Sequence, residues 1–304
     1  MVMHDKNLIP QYCVTGATGL IGWRIVDQLV KRGASVRVLT RSKWHGASQV
    51  EVFHGSLLND ETLNRFVDGA EYVFHCAAEI RDHSTMWQTN VDGTDRLLRR
   101  AEHSGVSLFC HLSSVGVIGR TTVSEVDEDT PCSPQNDYER SKLTAEQVVL
   151  ATVRIPRVVV LRPTNVVAPE RPGALVIAMR GSTMDRIKTF VQGREGVHIV
   201  HAANVAAAAV YAIDTQAGRA VTYIVSSDDD PRNTLAGLWS MVRRTTPFTL
   251  PLAVPNSLRW LIRGRQNRGD VRYSSARLRA SGFVFPYGFE ETVNDIIIGC
   301  AGSR

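Results

Sequence analysis

Short apolar runs alternate with stretches of helical spacing along the first two-thirds of this chain. QYCVTGATG reads as a strand and a turn, and LIGWRIVDQLVKRG as a helix closed by Gly33. ASVRVLTRS and VEVFHGS are further strands, ETLNRFVDG a helix and AEYVFHCAA a strand. A long helix is predicted over VDGTDRLLRRAEHSG, then the strand SLFCHLSS, the helix YERSKLTAEQVV and one strand across RVVVLRPTNVV. Strands alternating with helices imply βαβ units, hence an α/β fold with a doubly wound, Rossmann-type parallel sheet. The pattern loosens after Pro169, where an Ala-rich helix, a strand and the helix TLAGLWSMVRR precede a Pro- and Arg-containing stretch. The predicted division is a dinucleotide-type domain over 1–168, taking in segments around 197–226, and a small lobe mainly over 169–304.

Composition narrows the functions open to such a fold. The 304 residues carry a formal charge of +5, but the basic residues are scattered among 30 acidic ones, which argues against nucleic acid. The five cysteines show no C-x-x-C spacing, and the nine histidines form no metal-ligand pattern, so no metal is expected. Nothing resembles a signal peptide, and no apolar run approaches the ~18 residues that span a bilayer, so the expectation is a cytoplasmic protein with no membrane partner.

Two motifs carry chemistry. Gly16-Ala-Thr18-Gly19-Leu20-Ile21-Gly22 follows a strand and opens a helix, the context in which glycines admit a pyrophosphate to backbone N–H groups and a helix N-terminus. Arg41 closes the second strand, where a carboxylate would accept from the ribose of NAD and an arginine suits the 2′-phosphate of NADP. The predicted cofactor is NADP, with NAD possible. Tyr138 and Lys142 sit four residues apart on a predicted helix, so the ammonium can approach the phenol oxygen and favour phenolate. A general acid/base for carbonyl–alcohol interconversion needs that arrangement. The chain has 30 arginines against five lysines, so a lysine there is not the default cation.

GATGLIG, VFHCAA, NVDGT, LSSVGVIG, YERSK and LRPTNVVAPE stand in the order and spacing of the extended short-chain dehydrogenase/reductases, the NAD-dependent epimerase/dehydratase family, which the chain resembles over about residues 8–290. The resemblance implies that Gly16, Thr18, Gly19, Leu20 and Ile21 hold the pyrophosphate, while Ser56, Leu57, Ala77, Ala78 and Asn90 contact the dinucleotide. It makes Ser114 the catalytic hydroxyl, Tyr138 the acid/base and Lys142 the ribose ligand, with Pro163 and Thr164 beside the nicotinamide. Gly55-Ser56 replaces the family's usual Gly-Asp. Val115-Gly116 after Ser114 lack the acid pair that elimination requires, leaving hydride transfer.

On the substrate side, Asn165 and Arg268 resemble residues that touch the diphosphate of nucleotide sugars. Asn204 stands where such enzymes carry aspartate, and Val197 where they carry arginine. The resemblance therefore implies an NADP-dependent oxidoreductase for a nucleoside-diphosphate sugar, by 4-keto reduction or C4 epimerisation. The alternative is a ketoreductase for hydrophobic rings, of the 3β-hydroxysteroid dehydrogenase or flavonoid reductase type. The resemblance also implies a homodimer through the helices around 90–105 and 138–153, with Leu97, Leu98, Leu143, Val148 and Val149 offering apolar surface.

Overall fold

A computed structural model describes residues 11–215, 218–242 and 271–302. A seven-stranded sheet runs in the order β10-β7-β5-β4-β1-β2-β3, from β1 (Gln11–Thr15), β2 (Ser35–Thr40), β3 (Glu51–His54), β4 (Tyr72–His75), β5 (Leu108–Leu112), β7 (Arg157–Pro163) and β10 (Ala220–Val225). The pairings from β7 through to β3 are all parallel. Cys13, Val73, Phe109 and Val158 from four of these strands are wholly buried in one apolar core, as strands covered on both faces require. Chain order reverses between β1 and β4, which lie side by side, so their carboxyl ends form the switch point at which open α/β sheets bind ligands.

The described residues fall into two compact units. Of the described residues, the first takes those up to Val117, Pro134–Leu161 and Ala206–Thr222; the second takes Ile118–Ser133, Arg162–Val205 and those from Tyr223 on. In the first, helix α1 (Gly22–Lys31) follows β1 and turns Ile25, Val26 and Leu29 into the core. In the second, Leu175, Leu238, Trp239, Val293 and Ile296 form a separate core.

Three elements differ from the sequence expectation. The long helix starts earlier, as α3 (His83–Trp87), because the Asp82 side chain caps it by accepting from the Ser84 N–H. It continues through a single π-turn (Gln88–Asp92) into α4 (Gly93–His103). The strand predicted over RVVVLRPTNVV divides into β7 and β8 (Asn165–Val167), because backbone partners change: the Thr164 N–H donates to Val225 O and the Asn165 N–H to His198 O. Finally, Leu97, Leu98 and Val149, expected to face a partner, are at most 3% exposed and belong to the subunit's own core, while Leu143 and Val148 are only partly buried. Among the described residues no helix is long and apolar enough to cross a membrane.

Candidate active site

The glycine loop is a tight turn. The Gly19 N–H donates to Gly16 O at 2.9 Å, and Gly16 adopts φ +66°. A Cβ on Gly16 would lie 2.6 Å from the Ala77 nitrogen, and one on Gly22 would lie 2.2 Å from Gly16 O. Glycine at both positions thus lets the turn close against the end of β4. Beside it opens a cleft of about 260 Å³ lined by Gly16, Thr18, Gly19, Arg41, Ser56, Leu57, Ala77 and Ala78, with Thr15, Thr40, Cys76 and Thr89 among its other walls. Leu20 and Ile21 do not line it; they lead into α1, where Leu20 O accepts from Arg24 and Ile21 is the N-cap.

Arg41 is exposed at the rim, and the strand end around it (Thr40 to Lys43) carries no acid. Glu79 beyond β4 has its carboxyl held below the usual range, chiefly by the N–H groups of Arg81 and Asp82, with Arg41 adding a smaller pull. The walls therefore present backbone donors, hydroxyls and a cation, which fit the phosphates and hydroxyls of a dinucleotide. The local sign of that fit is the lining itself, in which the glycine turn, the Thr15, Thr18 and Ser56 hydroxyls and the Arg41 guanidinium face one cleft.

The reacting groups stand on α5 (Asp137–Ala151) and at the end of β5. Asn136 caps α5 by accepting from the Glu139 N–H, and Asp137 and Glu139 favour its N-terminal turn. Tyr138 is half-buried one turn before Lys142, which is 2% exposed. The Lys142 ammonium donates to Leu112 O at 2.6 Å and lies 3.5 Å from His111 Nε2. Burial pushes its pKa down to about 8, partly offset by Cys76 and Glu146. Of the two serines, Ser113 is buried and donates to Glu146 Oε2 at 2.8 Å. Ser114 Oγ is half-buried and accepts from the Gly116 N–H at 3.0 Å, so its own proton is not needed for that turn.

Asn90 lies beneath the loop after β4 and does not line the cleft. Its Oδ1 accepts from the Glu79 N–H at 2.7 Å, and its Nδ2 donates to Glu79 O and Ser141 Oγ, both at 2.9 Å. The site also contains residues that sequence reasoning did not select: His75 and His111, fully buried on β4 and β5, with ring centroids 5.3 Å apart. Burial lowers the pKa of both, so both are neutral, and His111 Nδ1 has no hydrogen-bond partner. The signal was a histidine inside each apolar run, VFHCAA and FCHLSS.

In the second unit, Thr164 is buried against Val225 O and Pro163 ends β7. Asn165 is exposed, and its Nδ2 donates to Val197 O at 2.7 Å. Asn204 is wholly buried and exchanges two hydrogen bonds with the Tyr287 backbone. Arg268 lies outside the described residues. No group of three or more metal-ligating side chains occurs among those described.

The model of the NAD dependent epimerase/dehydratase family matches residues 12–225. A sterol demethylase protein B of Methylococcus capsulatus is 31% identical over 194 residues, 59% of either chain. A 4-hydroxy-2-methyl-3-oxo-4-farnesyl-3,4-dihydroquinoline-1-oxide ketoreductase of Stigmatella aurantiaca is 30% identical over 69% of this chain and 66% of its own. The matched stretches span 59% and 47% of the lengths of the first two curated relatives. Among solved structures, the Bordetella bronchiseptica enzyme WbmG in complex with NAD gives a TM-score of 0.77 at 18% identity, over 98% of this chain and 96% of that one. The UDP-glucose 4-epimerase of Thermotoga maritima with UDP-glucose gives 0.74 at 20% identity, over 96% and 99%. These two likenesses establish the fold.

Proposed function

The chain belongs to the NAD-dependent epimerase/dehydratase family, and we propose that it is an NADP-dependent oxidoreductase moving a hydride to or from a carbon of a hydrophobic ring substrate. The observation that carries this reading is Lys142, buried one helical turn from Tyr138 and just behind the strand end that leads to Ser114. A bound nicotinamide supplies or takes the hydride. Tyr138 gives or takes the hydroxyl proton, Lys142 keeps the phenolate accessible by its charge, and Ser114 donates to the reacting oxygen. Arg41 at the cleft rim, with no acid on its strand end, supports NADP over NAD, although relatives of this fold are solved with NAD.

The ring substrate is favoured by the curated relatives at 30–32% identity, whose names are those of sterol, 3β-hydroxysteroid and quinoline-oxide enzymes. It is also favoured by the second unit, where Asn204 is wholly buried and bonded to backbone through both ends of its amide and position 197 is valine. The second reading is a nucleoside-diphosphate sugar, reduced at a 4-keto group or epimerised at C4; fold neighbours solved with UDP-glucose support it. We further propose an isologous homodimer. One panel decides the substrate: 3β-hydroxysteroids and ring ketones against UDP-, GDP- and dTDP-sugars, each with NADP(H) and NAD(H), followed by nicotinamide absorbance and product analysis. Turnover of steroid-like rings and none of sugar nucleotides is expected. The reverse selectivity establishes the second reading and overturns the first.

A further inference from the structure

His75 joins the cleft wall to the helix that carries Tyr138 and Lys142, and the proton on each link of that chain can be assigned by counting donors. Thr94 Oγ1 lies 2.6 Å from Asn90 O, a carbonyl that can only accept, so the hydroxyl proton of Thr94 is spent there. Toward His75 Nε2, at 2.8 Å, the same oxygen must accept, so Nε2 carries the ring hydrogen. A neutral ring then leaves Nδ1 bare, and it accepts from Thr15 Oγ1–H at 2.7 Å. The Thr15 oxygen in turn accepts from the Ala77 N–H at 3.3 Å. Thr15, His75, Thr94 and Asn90 are each at most 1% exposed, so no solvent competes for these bonds.

Both ends of the relay are functional. At one end, Ala77 lines the cleft and Thr15 leads into Gly16. At the other, the Asn90 side chain bonds Glu79 and Ser141, and the Ser141 hydroxyl donates to Tyr138 O at 2.8 Å. Asn90 is also part of the π-turn, so the relay fixes where that irregular turn sits against α5. We propose that His75 is a positioning residue: as a neutral Nε2–H imidazole it sets the spacing between the dinucleotide cleft wall and the turn of α5 that carries Tyr138 and Lys142. The titratable groups facing its ring are His111 on β5 and Lys142 on α5; burial first, then Lys142, oppose a second positive charge there. The functional part of this inference rests on the dinucleotide reading of the cleft. The tautomer does not.

Nitrogen NMR of the histidine rings in the full-length protein tests the tautomer directly. The His75 signal, assigned by its loss in His75→Gln, is expected to show a bare Nδ1 and a protonated Nε2, unchanged over roughly pH 5–8, where an ordinary imidazole titrates. An Nδ1–H tautomer, or titration inside that window, overturns the proposal. The positioning role is tested with Thr94→Val, which keeps the shape and removes both hydrogen bonds of that hydroxyl. Cofactor affinity by calorimetry should weaken at least about tenfold, the effect of losing one buried hydrogen bond. Turnover should fall with it while substrate KM holds. His75→Leu should do the same, the double variant should lose little more than either single one, and His75→Gln should recover part of the loss because its amide can both accept and donate. Wild-type affinity and turnover in Thr94→Val would refute the role. Failure of the wild-type protein to bind any dinucleotide would instead refute the functional reading, leaving the tautomer to the NMR result.

Discussion

A lysine that must be charged to act is buried here against one carbonyl and one neutral imidazole. Its pKa of about 8 places the loss of that charge inside the working range of pH. Because kcat/KM reports groups of the free enzyme, it is expected to fall as pH rises through about 8, and this limb should vanish in Lys142→Met, whose residual activity should be low. The sign for stability is the opposite. Between about 8 and the unfolded lysine's value of 10.5, the unfolded chain holds the proton that the folded chain has lost, so stability rises with pH across that window. Denaturant titrations at the two ends of the window should differ by about 3 kcal/mol, less any compensation from other groups. Tyr138→Phe should leave the fold and cofactor binding in place and lower turnover by ~10²–10⁴, with little change in substrate affinity. A variant turning over at near the wild-type rate would remove Tyr138 from the mechanism. Arg41→Ala should cost NADP(H) affinity on the order of 1–3 kcal/mol and spare NAD(H); equal effects on the two cofactors would end the NADP reading. The tyrosine–lysine spacing and the strand-end arginine were legible because they are local. His75 and His111 were not, since a histidine inside an apolar strand looks the same in sequence whether it is a packed core residue or a relay; only the pairing of β4 with β5 and the reach to Thr15 and Thr94 separate the two.

At the scale of elements, the parallel sheet was legible from alternation, because most of its strands are short apolar runs followed by a helix, β2, which passes straight to β3, being an exception. Irregular joints escaped that reading. The π-turn at Gln88–Asp92 has no period of its own, and α3 announces itself only through the Asp82 cap. The break between β7 and β8 depends on which strands lie alongside, and no local pattern encodes a change of partner. The glycine loop is the opposite case, a joint fixed by local sterics. A methyl at Gly22 would press on the Gly16 carbonyl at 2.2 Å, backbone that cannot rotate away. Gly22→Ala should therefore cost about 1–3 kcal/mol in chemical denaturation, the range for overpacking, and weaken cofactor binding by displacing Gly16 from Ala77. Unchanged stability together with unchanged cofactor affinity would show that the loop is not held as tightly as these contacts require.

For the whole molecule, a dimer through α4 and α5 would have to do without Leu97, Leu98 and Val149, with Leu143 and Val148 still partly exposed. Leu97, Leu98 and Val149 are committed to the subunit's own core. What α4 presents outward is charge: Arg96 and Arg100 pair with Asp60, and Arg99 pairs with Asp95. Exposed surface ion pairs of this kind contribute little to association and are screened by salt. Apolar surface is available at Trp87 on α3, 51% exposed, and at Ile80 just before that helix, 46% exposed. Trp87 ends a helix packed on α5, and a large aromatic half in solvent is the residue type that anchors interfaces. If the two-fold contact forms on this side, light scattering at micromolar concentration should give twice the chain mass. Trp87→Glu should then shift the mass toward that of one chain, because it removes the apolar anchor and places two carboxylates near the axis. Raising salt should weaken the association less than that substitution does, since the rim charges are already paired within each chain. A single-chain mass for the wild-type protein would remove the dimer, and a dimer untouched by Trp87→Glu would move its interface to another face.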